Sequence, residues 1–113
     1  MAINKGLIGG STPLLLLSLL ESQDCYGYEI IKILEERSDN TFSFKEGTLY
    51  PVLHKLENEG YIRSYYKESD GRKRRYYTIT KKGVKQLAEE KAQWERFSFA
   101  VNKVIGGEVN AIA

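Results

Sequence analysis

The chain has 113 residues, 42% of them hydrophobic, which suits one domain with its own core and argues against global disorder. One cysteine, Cys25, excludes an intrachain disulfide and fits a reducing, cytoplasmic setting, and with a single histidine, His54, the stock of ligands is too poor for a structural metal site. The formal net charge is only +2, yet residues 1–60 carry 5 bases and 9 acids, residues 61–83 carry 8 bases and 2 acids, and residues 84–113 carry 4 of each; so compact a basic segment is the electrostatic footprint of a polyanion partner.

In chain order, Ser11-Thr12-Pro13 reads as a helix start, a hydroxyl cap followed by proline near the first helical position. A first helix over residues 14–21 follows. Its LLLLSLL run is too short to span a bilayer and is not followed by a signal-peptide cleavage site, so it reads as a central buried helix. Asp24 is placed to cap a second helix over 26–37, with Ile30, Ile31, Ile33 and Leu34 at helical spacing, ended by Ser38-Asp39-Asn40. Residues 41–44 alternate and suggest a short strand. A third helix over 46–59 carries the stripe Leu49, Val52, Leu53, Leu56, with Pro51 bending its first turns and Gly60 as its glycine cap.

Residues 61–67 and 74–79 are rich in Tyr, Ile and Thr and read as two strands joined by Glu68-Ser69-Asp70-Gly71. The hairpin tip and second strand hold Arg72, Lys73, Arg74 and Arg75 without a break; which of these point outward is not fixed by pattern alone. Thr80 is placed to cap a long helix running from 81 towards 105, weakened slightly by Gly83 and stopped by Gly106-Gly107, with the last six residues frayed. Three helices, a hairpin and a long helix make a mostly α plan with a small β wing: a winged helix-turn-helix followed by a C-terminal dimerisation helix, divided into residues 1–80 and 81–113. In that plan the third helix enters a DNA major groove, and the wing straddles phosphates that arginine and lysine attract.

Tyr26-Gly27-Tyr28-Glu29-Ile30, then Gly47-Thr48-Leu49-Tyr50-Pro51-Val52-Leu53 with Leu56-Glu57 and Gly60-Tyr61-Ile62, then Arg72 to Thr80 with Gly83, resemble in that order three motifs of the PadR family of transcriptional regulators. The resemblance covers residues 14–83. It implies a winged-helix fold, a homodimer, DNA binding as a repressor and, in many members, release by a small molecule. The chain departs from the pattern at Lys45, where relatives often place a capping residue; Ser43 with Glu46 offers a capping box two residues earlier.

The candidate DNA contacts are Thr48, Tyr50, His54 and Lys55 on the third helix and Arg72, Lys73, Arg74 and Arg75 on the wing. Tyr50 fits structural packing as well as DNA contact, and Tyr28 reads as a packing residue. Glu57 and Glu59 repel phosphate, so the reading end of the helix is its N-terminal half. On the long helix Leu87, Trp94, Phe97, Val101, Val104 and Ile105 form an apolar stripe for a second copy of the chain, crossing by two-fold symmetry so that two heads read a palindromic operator. Trp94 and Phe97 fit either an interface core or a cavity for a small aromatic or drug-like effector. No cofactor and no membrane partner is expected. Cys25 and His54 lack the accompanying oxyanion motif of a nucleophilic pair, so no enzymatic activity is expected. Protein-binding and RNA-binding winged helices remain alternatives, the first disfavoured by the basic hairpin and the second by the narrow major groove of A-form RNA.

Overall fold

The structure is a computed structural model that describes residues 5–106; Gly107 and the last six residues, assigned above to a helix stop and a frayed tail, lie outside the described residues. The element order is α1 (Lys5–Ser22), β1 (Cys25–Tyr26), α2 (Gly27–Arg37), α3 (Glu46–Asn58), β2 (Ile62–Ser69), β3 (Arg72–Ile79) and α4 (Lys81–Val104). The sheet is antiparallel in the order β1-β3-β2. It is a winged helix with a long C-terminal helix.

α1 is central because it is apolar on every side: it packs on α2, α3, α4 and β3, and Leu16, Leu17, Leu19 and Leu20 are buried in the same core as Ile30, Leu53 and Ile62. It begins nine residues earlier than the sequence suggests, with Pro13 inside it. Proline removes one bond, to the carbonyl of Gly9, and Gly9 is exposed to water that can serve that carbonyl. Packing along α4 then decides the helix length against the local start signal at Ser11-Thr12-Pro13.

Asp24 does not cap α2. Tyr26 is the cap residue, and its N–H donates to the Glu29 carboxylate at 3.3 Å. Asp24 instead accepts a 2.6 Å hydrogen bond from the Tyr65 hydroxyl. After α2, Asp39 and Asn40 take positive φ, as short polar side chains tolerate, and end the helix where the sequence does. Residues 41–44 form no strand. The free edge of β3 is taken by Cys25–Tyr26, in register Cys25↔Tyr77, and Phe44 instead plugs the core from a loop.

α3 buries Leu49, Leu53 and Leu56 as its spacing requires. Its N-cap is Lys45 with no side-chain bond. Ser43 makes no capping box: its hydroxyl donates to Glu35 at 3.1 Å, so the box is lost to a partner on α2. At the other end the N–H groups of Gly60 and Tyr61 reach the carbonyls of Glu57 and Leu56, with Gly60 at φ 83°. That closure needs glycine and turns the chain directly into β2.

β2 and β3 pair from Ile62↔Ile79 to Ser69↔Arg72, which leaves only Asp70-Gly71 as the turn. Both have positive φ, 54° and 73°, the tight turn whose twist matches paired strands. The strands are therefore longer than the sequence indicates, and all four consecutive bases lie within β3. Thr80 caps α4 as expected, its Oγ1 accepting from the Gly83 N–H at 3.0 Å and donating to the Gly60 carbonyl at 2.7 Å.

Candidate nucleic-acid interface

The register fixes the wing. Side chains alternate along a strand, so Arg72 and Arg74 share one face of β3, and Lys73 and Arg75 the other. Arg75 reaches back to α3 and pairs with Glu57 at 3.1 Å; the same carboxylate accepts a 2.7 Å bond from Ser64 on β2. Glu57 thus ties both wing strands to the last turn of α3. The Arg74 guanidinium lies 4.4 Å over the ring of Tyr26, on β1. Lys73 sits 5.3 Å over the Tyr66 ring, and Arg72 is exposed beside the turn. The four bases therefore divide into two braced against the protomer and two at the tip.

On α3, Thr48, Tyr50, His54 and Lys55 are all exposed, but they do not share one surface. Tyr50 and His54 face the wing across a cleft of about 510 Å³ that Arg74, Arg75 and Glu57 also line. Lys55 lines a separate groove on the side of α1 and α4, with Val52, Glu59 and Gln86. One residue along a helix is a rotation of about 100°, which is enough to part neighbours between two faces.

Tyr50 combines the two readings open to it. It is 39% exposed, and its hydroxyl end is also seated on Gly27, where any Cβ would collide with it. Tyr28 is not a packing residue: it is 56% exposed and lines the cleft, because the first turn of α2 projects it away from the core. Glu57 reads from sequence only as an acid that repels phosphate. It is a brace for the wing, and the pairing that reveals this joins α3 to residues seven and eighteen positions away. The motif around residues 26–30 carries the signal for Tyr28 and Gly27, since a glycine between two tyrosines at a helix start implies close approach by another group.

Leu87 does not belong to the outer stripe of α4. It is 1% exposed and sits in the protomer's own core, because the root of α4 packs against α1 and β3. Farther along, Trp94, Phe97, Val101, Val104 and Ile105 are exposed, as is Phe99, which the spacing did not select. Trp94 and Phe97 stand 6.2 Å apart between ring centroids and line a groove of about 420 Å³ with Gly10, Ser11 and Leu14 of α1. Burial pushes the Cys25 thiol above its ordinary range, which suits a core residue rather than a nucleophile. No helix among the described residues is long and apolar enough to cross a membrane.

The sequence model of the transcriptional regulator PadR-like family matches residues 16–89, most of the chain. The chain belongs to the PadR-like family. An uncharacterised protein of Lysinibacillus sphaericus is 40% identical over 93 residues, covering 81% of this chain and 85% of that protein. A transcriptional regulator of Mycobacterium tuberculosis is 36% identical, covering 67% of this chain and 68% of its own length. Among solved structures, a transcriptional regulator from Clostridium thermocellum superposes with a TM-score of 0.82 at 39% identity, covering 88% of this chain and 97% of that one. A PadR-like transcriptional regulator from Bacillus cereus gives 0.80 at 33%, covering 92% of this chain and 100% of that one. This PadR-family chain is thus similar in sequence and fold to transcriptional regulators, a family of regulators rather than enzymes.

Proposed function

We propose that this PadR-family regulator is a homodimeric repressor that binds a palindromic operator in double-stranded DNA and is released by a small aromatic effector. The observation that carries the reading is the shared face of α3 and the wing. Exposed Tyr50 and His54 stand across one cleft from Arg74 and Arg75, while Arg72 and Lys73 extend the positive charge to the tip. Thr48, Tyr50 and His54 read base edges, with Lys55 at the margin, and the wing bases neutralise phosphates. In this reading residues 1–80 form the DNA-binding unit and residues 81–113 the dimerisation element. The Trp94–Phe97 groove takes the effector, whose binding changes the angle between the two heads.

A salt-dependent titration tests it, using the duplex upstream of the protein's own gene and a scrambled duplex of equal length. The expected result is selective binding with a steep salt slope. Equal, weak binding to both, repeated across a genomic library of duplexes, sinks the repressor reading. Tryptophan fluorescence that stays flat across a broad panel of aromatic ligands removes the effector.

A further inference from the structure

The cleft between α2, α3 and the wing is larger and more aromatic than a phosphate contact requires. Its volume of about 510 Å³ falls within the range of small-molecule sites. Tyr26, Tyr28, Tyr50 and Tyr77 line it, together with His54. Its two arginines are in different states. Arg75 pairs with Glu57 through one nitrogen at 3.1 Å, and Glu57, the only carboxylate lining the cleft among the described residues, accepts from both Arg75 and Ser64. The Arg74 guanidinium stands 4.4 Å from the Tyr26 ring centroid, and its buried Nε has no acceptor among the described residues. A buried guanidinium N–H without an acceptor calls for one. What the cleft offers is the guanidinium groups of Arg74 and Arg75 beside flat aromatic walls. A phosphate supplies oxygens in the geometry a guanidinium fits, and tyrosine faces accept a base or a sugar.

We propose that this cleft is a phosphate-ester site sized for one nucleotide, for which a free mononucleotide and a backbone phosphate of duplex DNA compete. The duplex arm rests on the DNA-binding reading above; the free-nucleotide arm does not.

His54 is the only histidine and lines the cleft, so its imidazole NMR resonances report the site. Trp94 lines the groove between α1 and α4 and serves as the control. Adenosine monophosphate, inorganic phosphate and a short non-cognate duplex are each titrated into the full chain. The expected result is a saturable His54 shift with adenosine monophosphate, unchanged Trp94 fluorescence, and displacement of the duplex by the nucleotide. Arg74→Gln should weaken the nucleotide about tenfold and lower the duplex salt slope by about one phosphate. Arg74→Lys should recover part of both effects. Tyr28→Ala, at an exposed position, should weaken the nucleotide severalfold without touching the core, and it decides the matter if Arg74→Gln does not fold by circular dichroism.

A His54 shift with duplex alone supports the site and assigns its phosphate to the DNA backbone. A shift with nucleotide but none with the duplex supports the site and assigns its phosphate to a free nucleotide. No shift with either, or shifts unchanged in both Arg74→Gln and Tyr28→Ala, overturns the proposal even if the duplex is bound.

Discussion

At the scale of single residues, two contacts show how a small group decides geometry. Gly83 lies in the first turn of α4, where alanine is better by about 1 kcal/mol on helix propensity alone. A Cβ there would collide with the Tyr61 carbonyl and meet Cγ1 of Ile79 at 2.7 Å. The obstacle is backbone, fixed by the bonds that Thr80 makes to Gly60 and Tyr61, so it cannot step aside. Overpacking of that kind costs about 1–3 kcal/mol, and it outweighs the propensity gain. Gly83→Ala should therefore lower the urea midpoint, and a raised midpoint would show that the junction yields. The second contact is Tyr65 on Asp24. The hydrogen bond to that carboxylate, aided by desolvation, pushes the phenol up to about 12 from an ordinary 10.0. A raised tyrosine pKa means that the folded state favours the neutral form. The contribution is complete below pH 10 and is lost as pH rises through about 12. Asp24→Asn should bring this titration back towards its ordinary value, seen as a difference in phenolate absorbance against Tyr65→Phe. Because Tyr65 is more than a third exposed, the accompanying change in stability should be small.

At the scale of elements, the brace formed by Glu57 links α3 to the wing and sets what the wing can present. The Arg75 pair is partly exposed and worth about 0–1 kcal/mol, and the Ser64 bond adds about 1. Glu57→Ala should thus cost only about 1–2 kcal/mol in chemical denaturation. Its effect on the proposed DNA binding should be larger in kind: one negative charge leaves the cleft and Arg75 is released. The salt slope for a non-cognate duplex should steepen by about one while discrimination between operator and scrambled duplex falls. An unaltered slope would mean that Arg75 never reaches a phosphate. Neither Glu57 nor the cleft was legible as such in the sequence, because each joins residues far apart in the chain. What was legible is what local chemistry dictates: the α3 stripe, the Gly60 closure, the Asp70-Gly71 turn and the Thr80 cap. β1 is two residues long, too short for any period to show. The start of α1 was misjudged because Ser11-Thr12-Pro13 has the chemistry of an N-cap and first helical turn, whereas the helix begins at Lys5 and α1 packs along α4.

At the scale of the whole molecule, α4 extends past the core that its root helps to build. Its 24 residues make about 36 Å of helix, within a longest dimension of 52 Å. Leu87 closes the protomer's core, and beyond it Trp94, Phe97, Val101 and Val104 stand exposed at steps of three, four and three. That is the seam spacing of packed helices, and a stripe so apolar is unusual on a protein that stays alone in water. Phe97, 58% exposed, belongs to the stripe and not to the core. Phe97→Glu should accordingly leave the circular dichroism spectrum and the folded protomer intact while sedimentation velocity shows a shift from dimer to monomer. If the dimer reads two half-sites, the same variant loses the second, intramolecular contact, a loss of about 10²–10⁴ in operator affinity. Binding to a single half-site should hardly change, since α3 and the wing are untouched. A Phe97→Glu protein that remained dimeric would move the interface off this stripe. One that became monomeric yet bound the full operator as tightly as before would separate dimerisation from DNA recognition.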